Sequence, residues 1–256
     1  MVIYEYYDTD DLIMNKPCFL EGVGNIYPIV LNQYKEFSKY INYIKFNKEL
    51  IGVKNDDISL LKLMFFSYVK SYTDNVFKGD QSEAIEKVSS DLIELFRIIL
   101  KKNFELKICD EDIYFLSTEK DDMSEINEDN YDIIREIILK QNVIHEEKIY
   151  EDEVANKWLK KAKKAHSKNQ IDLAEIIALV KNNNGLTYSE ILEQNMFQLY
   201  LDFKSISIGK EYEASILFKT VSDKVPNVDY SKLNIEELFN EKEHLMTADS
   251  LYNKLG

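Results

Sequence analysis

Four consecutive stretches decide the fold of this chain: YDIIREIILKQN at 131–142, KWLKKAKKA at 157–165, IDLAEIIALV at 171–180 and TYSEILEQNMFQLYLDF at 187–203. Apolar residues recur in them at three- and four-residue spacing, which is the pattern of helices with one buried side. The run NNNG at 182–185 separates the last two, because Asn and Gly tolerate left-handed backbone and end helices. Together these stretches predict a helical recognition module.

The order of these stretches resembles the C-terminal half of tail assembly chaperones, which are encoded in the tail modules of phages and phage-like particles of Gram-positive bacteria. In that family a Lys-rich helix precedes an aliphatic helix, and a helix containing Phe-Gln-Leu-Tyr follows; the matching residues here are 157–165, 171–180 and 197–200. The resemblance covers the last half of the chain. It implies a non-catalytic chaperone that binds and shields the tape measure protein during tail morphogenesis, with the tail tube protein as a second partner.

The composition is that of a folded, mainly helical protein. Of the 256 residues, 45% are hydrophobic and 12% aromatic, which is too apolar for a disordered chain. Only 7 Gly and 3 Pro are available for turns, which argues against a many-stranded sandwich or barrel. The formal net charge of -14 repels the bulk of the protein from nucleic acid and from anionic membranes, so neither is expected as a partner.

Several features predict a cytoplasmic protein of the bacterial host. The first residues, MVIYEYYD, are acidic and lack the basic lead of an export signal, and no apolar run reaches the length of a membrane span. Cys18 and Cys109 lie far apart and outside any CxxC or metal-ligand spacing, so two inert thiols in a reducing compartment are expected. No cofactor is expected.

The N-terminal half is predicted to combine helices with one small β element. Residues 25–30 are β-branched and aromatic, and Pro28 restricts them to an edge strand or an extended lead-in. Helical spacing then predicts one helix over 31–47, a buried helix over 58–69 and an amphipathic helix over 83–101.

Beyond these helices the apolar period changes from that of a helix to that of a strand. Residues 104–108 and 113–117 alternate in polarity, which predicts a β-hairpin that pairs with strand 25–30. The acidic stretch 119–130 is expected to be a loop. The predicted fold is therefore mainly α, with a small β-hairpin or sheet element in an N-terminal domain, and a C-terminal helical module with a loosely ordered tail follows. The expected domains are 1–145 and 146–256.

The chain is predicted not to be an enzyme, since no catalytic or phosphate-binding motif occurs in it. His145, followed by two glutamates, lacks the second His one turn later that a zinc helix needs. His166 and His244 have no companion ligands at suitable spacing. Gly22-Val-Gly24 is only a two-glycine turn, and the acidic runs at 8–11 and 110–112 lack the spacing of a calcium loop.

A basic helix is the first candidate binding site. Positive charge is concentrated there within an acidic chain, and apolar side chains on the same helix supply contact area. The functional interpretation is docking onto an acidic partner or self-association, and the alternative is a solvated helix face with the Trp in the core. Nucleic acid is disfavoured because a single aromatic residue offers little stacking. The candidate residues are Trp158, Lys160, Lys161, Lys163 and Lys164.

The aromatic end of the stretch 187–203 is the second candidate. On a helix Met196, Leu199, Tyr200 and Phe203 fall on one side, with Phe197 beside them, and form an apolar seam. Core packing and a groove for a client helix are both open interpretations of this seam, and the resemblance to tail assembly chaperones favours the groove.

Two further classes of function stay open. A structural tail or baseplate component of a phage or phage-like particle would also lack catalytic residues. An acidic inhibitor that mimics nucleic acid would use the charge of -14 directly, although the carboxylates here are dispersed on helices that also carry lysines.

Overall fold

The computed structural model describes residues 8–51, 58–109, 112–146, 157 and 172–221. These residues form nine α-helices and two small antiparallel sheets, so the protein is mainly α-helical with minor β structure, as predicted. None of the described helices is both long enough and apolar enough to cross a membrane. The helices are α1 Thr9–Ile13, α2 Leu31–Phe37, α3 Ile41–Lys45, α4 Leu60–Asn75, α5 Gln81–Leu100, α6 Tyr131–Gln141, α7 Leu173–Asn184, α8 Tyr188–Leu192 and α9 Met196–Lys219.

The larger sheet contains the predicted hairpin and a third strand that the sequence analysis missed. Its strands are β3 (Phe104–Cys109), β4 (Asp112–Ser117) and β5 (Glu125–Ile126), in that order. The third strand lies in the stretch 119–130, which was wrongly predicted to be a loop. It has only two residues, so no alternation of polarity marks it.

The smaller sheet shows a different strand pairing for residues 25–30 from the one predicted. Strand β2 (Gly24–Ile26) pairs with β1 (Cys18–Leu20), and the predicted pairing with the hairpin is wrong. Immediately after β2, the Tyr27 N–H donates to the Ile99 carbonyl at the end of α5 (2.8 Å). The chain is thereby drawn onto α5, and Pro28 has no N–H to continue a ladder.

The helix predicted over 31–47 is wrong in one respect, because it is divided into α2 and α3. The Ser38 hydroxyl donates to the Lys35 carbonyl (2.9 Å) and the Tyr40 N–H to the Phe37 carbonyl (2.9 Å), which closes a turn between the two helices. Phe37 and Tyr43 are both buried. On one continuous helix they would lie about 120° apart, so the turn is what brings both into the same core.

Helices α4, α5 and α6 pack on the sheets around one large core. Helix α5 begins after Asp80, whose carboxylate accepts from the N–H groups of Ser82 and Glu83, and ends at Lys101, which has φ of 56°. The ring of Phe96 on α5 meets that of Phe115 on β4 edge to face at 5.0 Å between centroids.

Buried polar groups join α3 to α5 and α6. The Arg135 guanidinium on α6 is 5% exposed; its Nε donates to the Ile44 carbonyl (2.7 Å) and its Nη2 pairs with the Glu146 carboxylate. The Tyr43 hydroxyl donates to Asp91 on α5 (2.9 Å). Burial is the main cause that raises the pKa of Tyr43 above its usual range, and the hydrogen bond to Asp91 adds to it.

Candidate protein-binding site

The three C-terminal helices α7, α8 and α9 each begin with a capping box. In this motif the residue before the helix accepts a backbone N–H with its side chain, and the third helical residue accepts the backbone N–H of that cap in return. The chain therefore starts a new helix at Met196 instead of continuing the single predicted helix over 189–203. The pairs are Asp172 with Glu175, Thr187 with Glu190, and Asn195 with Gln198.

These helices surround a second, smaller core. Helix α7 packs on α9 and ends at Gly185, whose φ of +69° is the left-handed conformation predicted for the break at 182–185. The core is closed from the N-terminal side by Leu31 and the partly buried Tyr34 of α2. Its buried members are Leu31, Ile176, Val180, Ile191, Met196 and Leu199.

The structure buries most of the predicted seam. Met196, Phe197 and Leu199 are 3%, 0% and 0% exposed. Met196 and Leu199 belong to the smaller core, whereas Phe197 enters the large core, which is formed mainly by the N-terminal half of the chain. Tyr200 and Phe203 are half-buried against the smaller core, and burial raises the pKa of Tyr200. This geometry favours core packing for the first three, and only Tyr200 and Phe203 present surface to a partner.

Asn195 links α9 to the N-terminal half of the chain. Its side chain is completely buried, and its Nδ2 donates to the Leu12 carbonyl (2.9 Å) and to the Asn15 side-chain oxygen (3.1 Å). Gln198 donates from Nε2 to the Ile13 carbonyl (2.7 Å). Helix α9 is therefore held against α1 by the same two residues that form its capping box.

The far end of α9 exposes apolar side chains that the sequence analysis did not single out. We call Ala214, Leu217, Phe218 and Val221 the exposed stripe, because they lie on one side of the last turns. Leu217, Phe218 and Val221 are 68%, 58% and 81% exposed. The sequence at 211–220 is compatible with a short helix, and residues 211–219 form the last turns of α9. The spacing of the seam at 196–203, extended past Gly209, would have revealed the stripe.

The basic helix lies almost entirely outside the described residues. Lys157 is described and is exposed. Trp158, Lys160, Lys161, Lys163 and Lys164 lie outside, as do His166, His244 and the predicted tail, so these predictions stay predictions.

A cluster around Ser124 is the arrangement in the described residues that comes nearest to a catalytic one. Lys102 Nζ donates to Ser124 Oγ (2.6 Å), and Ser124 Oγ donates to Asp122 Oδ1 (2.7 Å). A Ser beside a Lys is a nucleophile arrangement in some hydrolases. Here Ser124 is 7% exposed and Lys102 is ion-paired with Asp122 at 3.1 Å, so neither group is placed to act on a substrate.

The Ser124 cluster instead fastens the two sheets together. The Glu125 N–H donates to the Gly22 carbonyl (2.9 Å), which joins β5 to the turn of the β1–β2 hairpin. A Cβ at Gly24 would lie 3.0 Å from Lys102 Nζ, and Gly24 has φ of +99°, so this position requires glycine. At Gly22 an added Cβ would meet open space, so the φ of +77° is the reason for glycine there.

The stability that Asp122 contributes should depend on pH. Burial by itself would raise the pKa of Asp122, but hydrogen bonds from Ser117 and Ser124 and the charge of Lys102 outweigh it and hold the pKa well below its usual range. A carboxyl whose pKa is lowered on folding stabilises the protein above its unfolded pKa of about 3.9, and loses that effect as the pH falls below it. Asp122→Asn should therefore destabilise the protein at pH 7 and make progressively less difference below about pH 4.

Urea unfolding at a series of pH values measures this dependence. The control is Asp121→Asn at the exposed neighbouring residue, which removes the same charge from a position where Asn suits the φ of 64°. The prediction would be contradicted if Asp122→Asn lowered the free energy of unfolding equally at pH 7 and pH 3.

Among the described residues, no group of three or more His, Cys, Asp and Glu side chains is arranged to hold a metal ion. Cys18 is buried and Cys109 is exposed. Burial is the main cause that raises the pKa of the Cys18 thiol, which keeps it in its unreactive protonated form.

Comparison with known proteins gives two similarities. Residues 160–233 match a family model described as the YomV second domain, and this range includes α7, α8, α9 and the exposed stripe. Over 246 residues the chain is 28% identical to the SPbeta prophage-derived uncharacterized protein YomV of Bacillus subtilis (strain 168), and the alignment covers 94% of each chain. No solved structure matches. The chain is thus similar, along nearly its whole length, to a protein derived from a prophage.

Proposed function

We propose that this chain is a prophage-encoded, non-catalytic tail assembly chaperone that binds and shields the tape measure protein in the cytoplasm of the bacterial host. The similarity to a prophage-derived protein supports a phage-related role. The order of the stretches at 157–203, which resembles tail assembly chaperones, supports the more specific role.

The observation that carries the proposal is the exposed stripe. Soluble proteins expose single apolar side chains commonly, but a contiguous apolar surface marks a site of interaction. Leu217 and Phe218 lie in the last turn of α9 and Val221 lies just beyond the helix, and all three are more than half exposed. A protein-binding role accounts for this surface.

Mass action connects such a surface to chaperone activity. The tape measure protein is a long helical polypeptide with apolar faces, and a binder that covers those faces lowers the concentration of aggregation-prone client. The net charge of -14 keeps the complex soluble. Release follows when tail tube subunits compete for the client.

Co-expression with the tape measure protein of the same prophage tests this proposal. We expect the client to stay soluble with the wild-type chain and to precipitate with the double variant Leu217→Ser/Phe218→Ser. The matched control is Phe19→Ser/Met123→Ser, which replaces side chains that are 70% and 94% exposed outside α9 and should behave like the wild type. All three proteins should show the same melting temperature.

Two results would count against the proposal. Client solubility that is the same with and without this chain would exclude a chaperone role. Recovery of the chain in stoichiometric amounts from purified particles would favour a structural tail or baseplate component instead.

A further inference from the structure

One side of α9 is apolar in both halves of the helix. At about 100° per residue, Leu217 points to the same side as Leu199. Leu199 is completely buried against α7 in the smaller core, whereas Leu217 is 68% exposed. Lys210 and Glu213 lie on this side between them, so the side of α9 on which α7 packs becomes apolar again, and exposed, at the end of the helix.

The lengths of the two helices explain why the seam is covered only in part. Helix α7 has 12 residues and α9 has 24. At 1.5 Å per residue these are about 18 and 36 Å, so α7 is half as long as the helix on which it packs. The exposed stripe at 214–221 lies beyond α7 and is long enough for about two turns of a further helix.

The charges beside the exposed stripe indicate which kind of helix fits. Glu211 and Glu213 lie on its two edges, and Lys210 at its N-terminal end is ion-paired with Glu213 at 3.1 Å. A second copy of this chain would bring a net charge of -14 with it and be repelled. Lysines flanking the apolar side of a partner helix would instead face the two glutamates.

We infer that the exposed stripe docks a basic amphipathic helix from a partner protein, laid along the distal half of α9 as α7 is laid along its first half. This inference rests on the proposed binding function and adds the class of ligand and its position. The apolar side chains of the ligand contact Leu217, Phe218 and Val221, and its flanking cations face Glu211 and Glu213. The partner helix thereby covers the part of the seam that α7 leaves open.

Two synthetic peptides test the inference directly. Each has about 18 residues, enough to form a helix, with the same Leu-rich side; one carries Lys at the flanking positions and the other carries Glu. We expect the Lys peptide to bind several-fold more tightly by fluorescence anisotropy, with a preference that weakens as salt is added. Phe218→Ser should weaken its binding at least about tenfold, because it removes a central apolar anchor.

Charge-reversal variants locate the binding site. Glu211→Lys should weaken binding of the Lys peptide and strengthen binding of the Glu peptide. The matched control is Glu86→Lys on α5, which makes the same change in net charge at an exposed site on another helix. Because the residues that are changed are exposed, circular dichroism should show unchanged folding in both variants.

Three results would overturn the inference: no binding of either peptide, equal binding of both, or equal effects of Glu211→Lys and Glu86→Lys. A dimer in sedimentation that Phe218→Ser dissociates would also overturn it, since the stripe would then be occupied by a second copy. The peptides test the docking surface and the co-expression assay tests the chaperone role. Peptide binding without client protection would reject the role alone, and client protection without peptide binding would reject the surface alone.

Discussion

Phe197→Ala is expected to lower the free energy of unfolding by about 3–5 kcal/mol. Phe197 is completely buried, and with it α9 enters the large core formed mainly by the N-terminal half of the chain. Removing its ring leaves a cavity at the junction of the two cores, where neither set of helices can close the gap without moving relative to the other. The loss is thus a large fraction of the stability of an ordinary domain.

Urea unfolding of Phe197→Ala and Phe218→Ala gives the comparison. Both variants lose the same side chain from the same helix, but Phe218 is 58% exposed. Phe218→Ala should change the free energy of unfolding by less than about 1 kcal/mol. Equal effects of the two substitutions would contradict the buried position of Phe197 and would reopen the client-groove interpretation of the seam.

Asn195→Ala is expected to destabilise the protein by about 1.5–5 kcal/mol. The substitution removes the cap of α9, which is worth about 0.5–2 kcal/mol, and the two hydrogen bonds to the Leu12 carbonyl and the Asn15 side chain, which are worth about 0.5–1.5 kcal/mol each. Because these bonds join α9 to α1 and to Asn15 just after it, the loss should fall on the contact between the C-terminal helices and the N-terminal half.

Thr187→Ala separates the cap from this contact. Thr187 forms the same capping box at the start of α8, but it is exposed, and its side chain hydrogen-bonds to Glu190 within that box. Its loss should cost only the capping energy. In limited proteolysis, the rate of cleavage after Lys16 should be higher in Asn195→Ala than in the wild type and unchanged in Thr187→Ala. Equal stabilities of the two variants and equal cleavage would contradict the linking role of Asn195.

The candidate site was predictable in part. The apolar spacing of NMFQLY at 195–200 predicts its helix, but the sequence carries no signal of which neighbours bury each of its apolar side chains. Asn195 and Gln198 mark the start of α9 by their spacing. Their bonds to the carbonyls of Leu12 and Ile13 are made across more than 180 positions of sequence, so local patterns do not predict them.

The sequence by itself determined the elements whose signals are local. Helix α6 spans the predicted residues 131–141, the hairpin follows the alternation at 104–117, and Gly185 ends α7, because periodicity and left-handed backbone preferences act within a few residues. Tertiary structure decided the rest. It divided 31–47 into α2 and α3 so that Phe37 and Tyr43 enter one core, and it paired β2 with β1. It also covered the first half of one apolar seam and left Leu217 to Val221 exposed, since burial depends on which neighbours the chain brings to each turn and how far they reach.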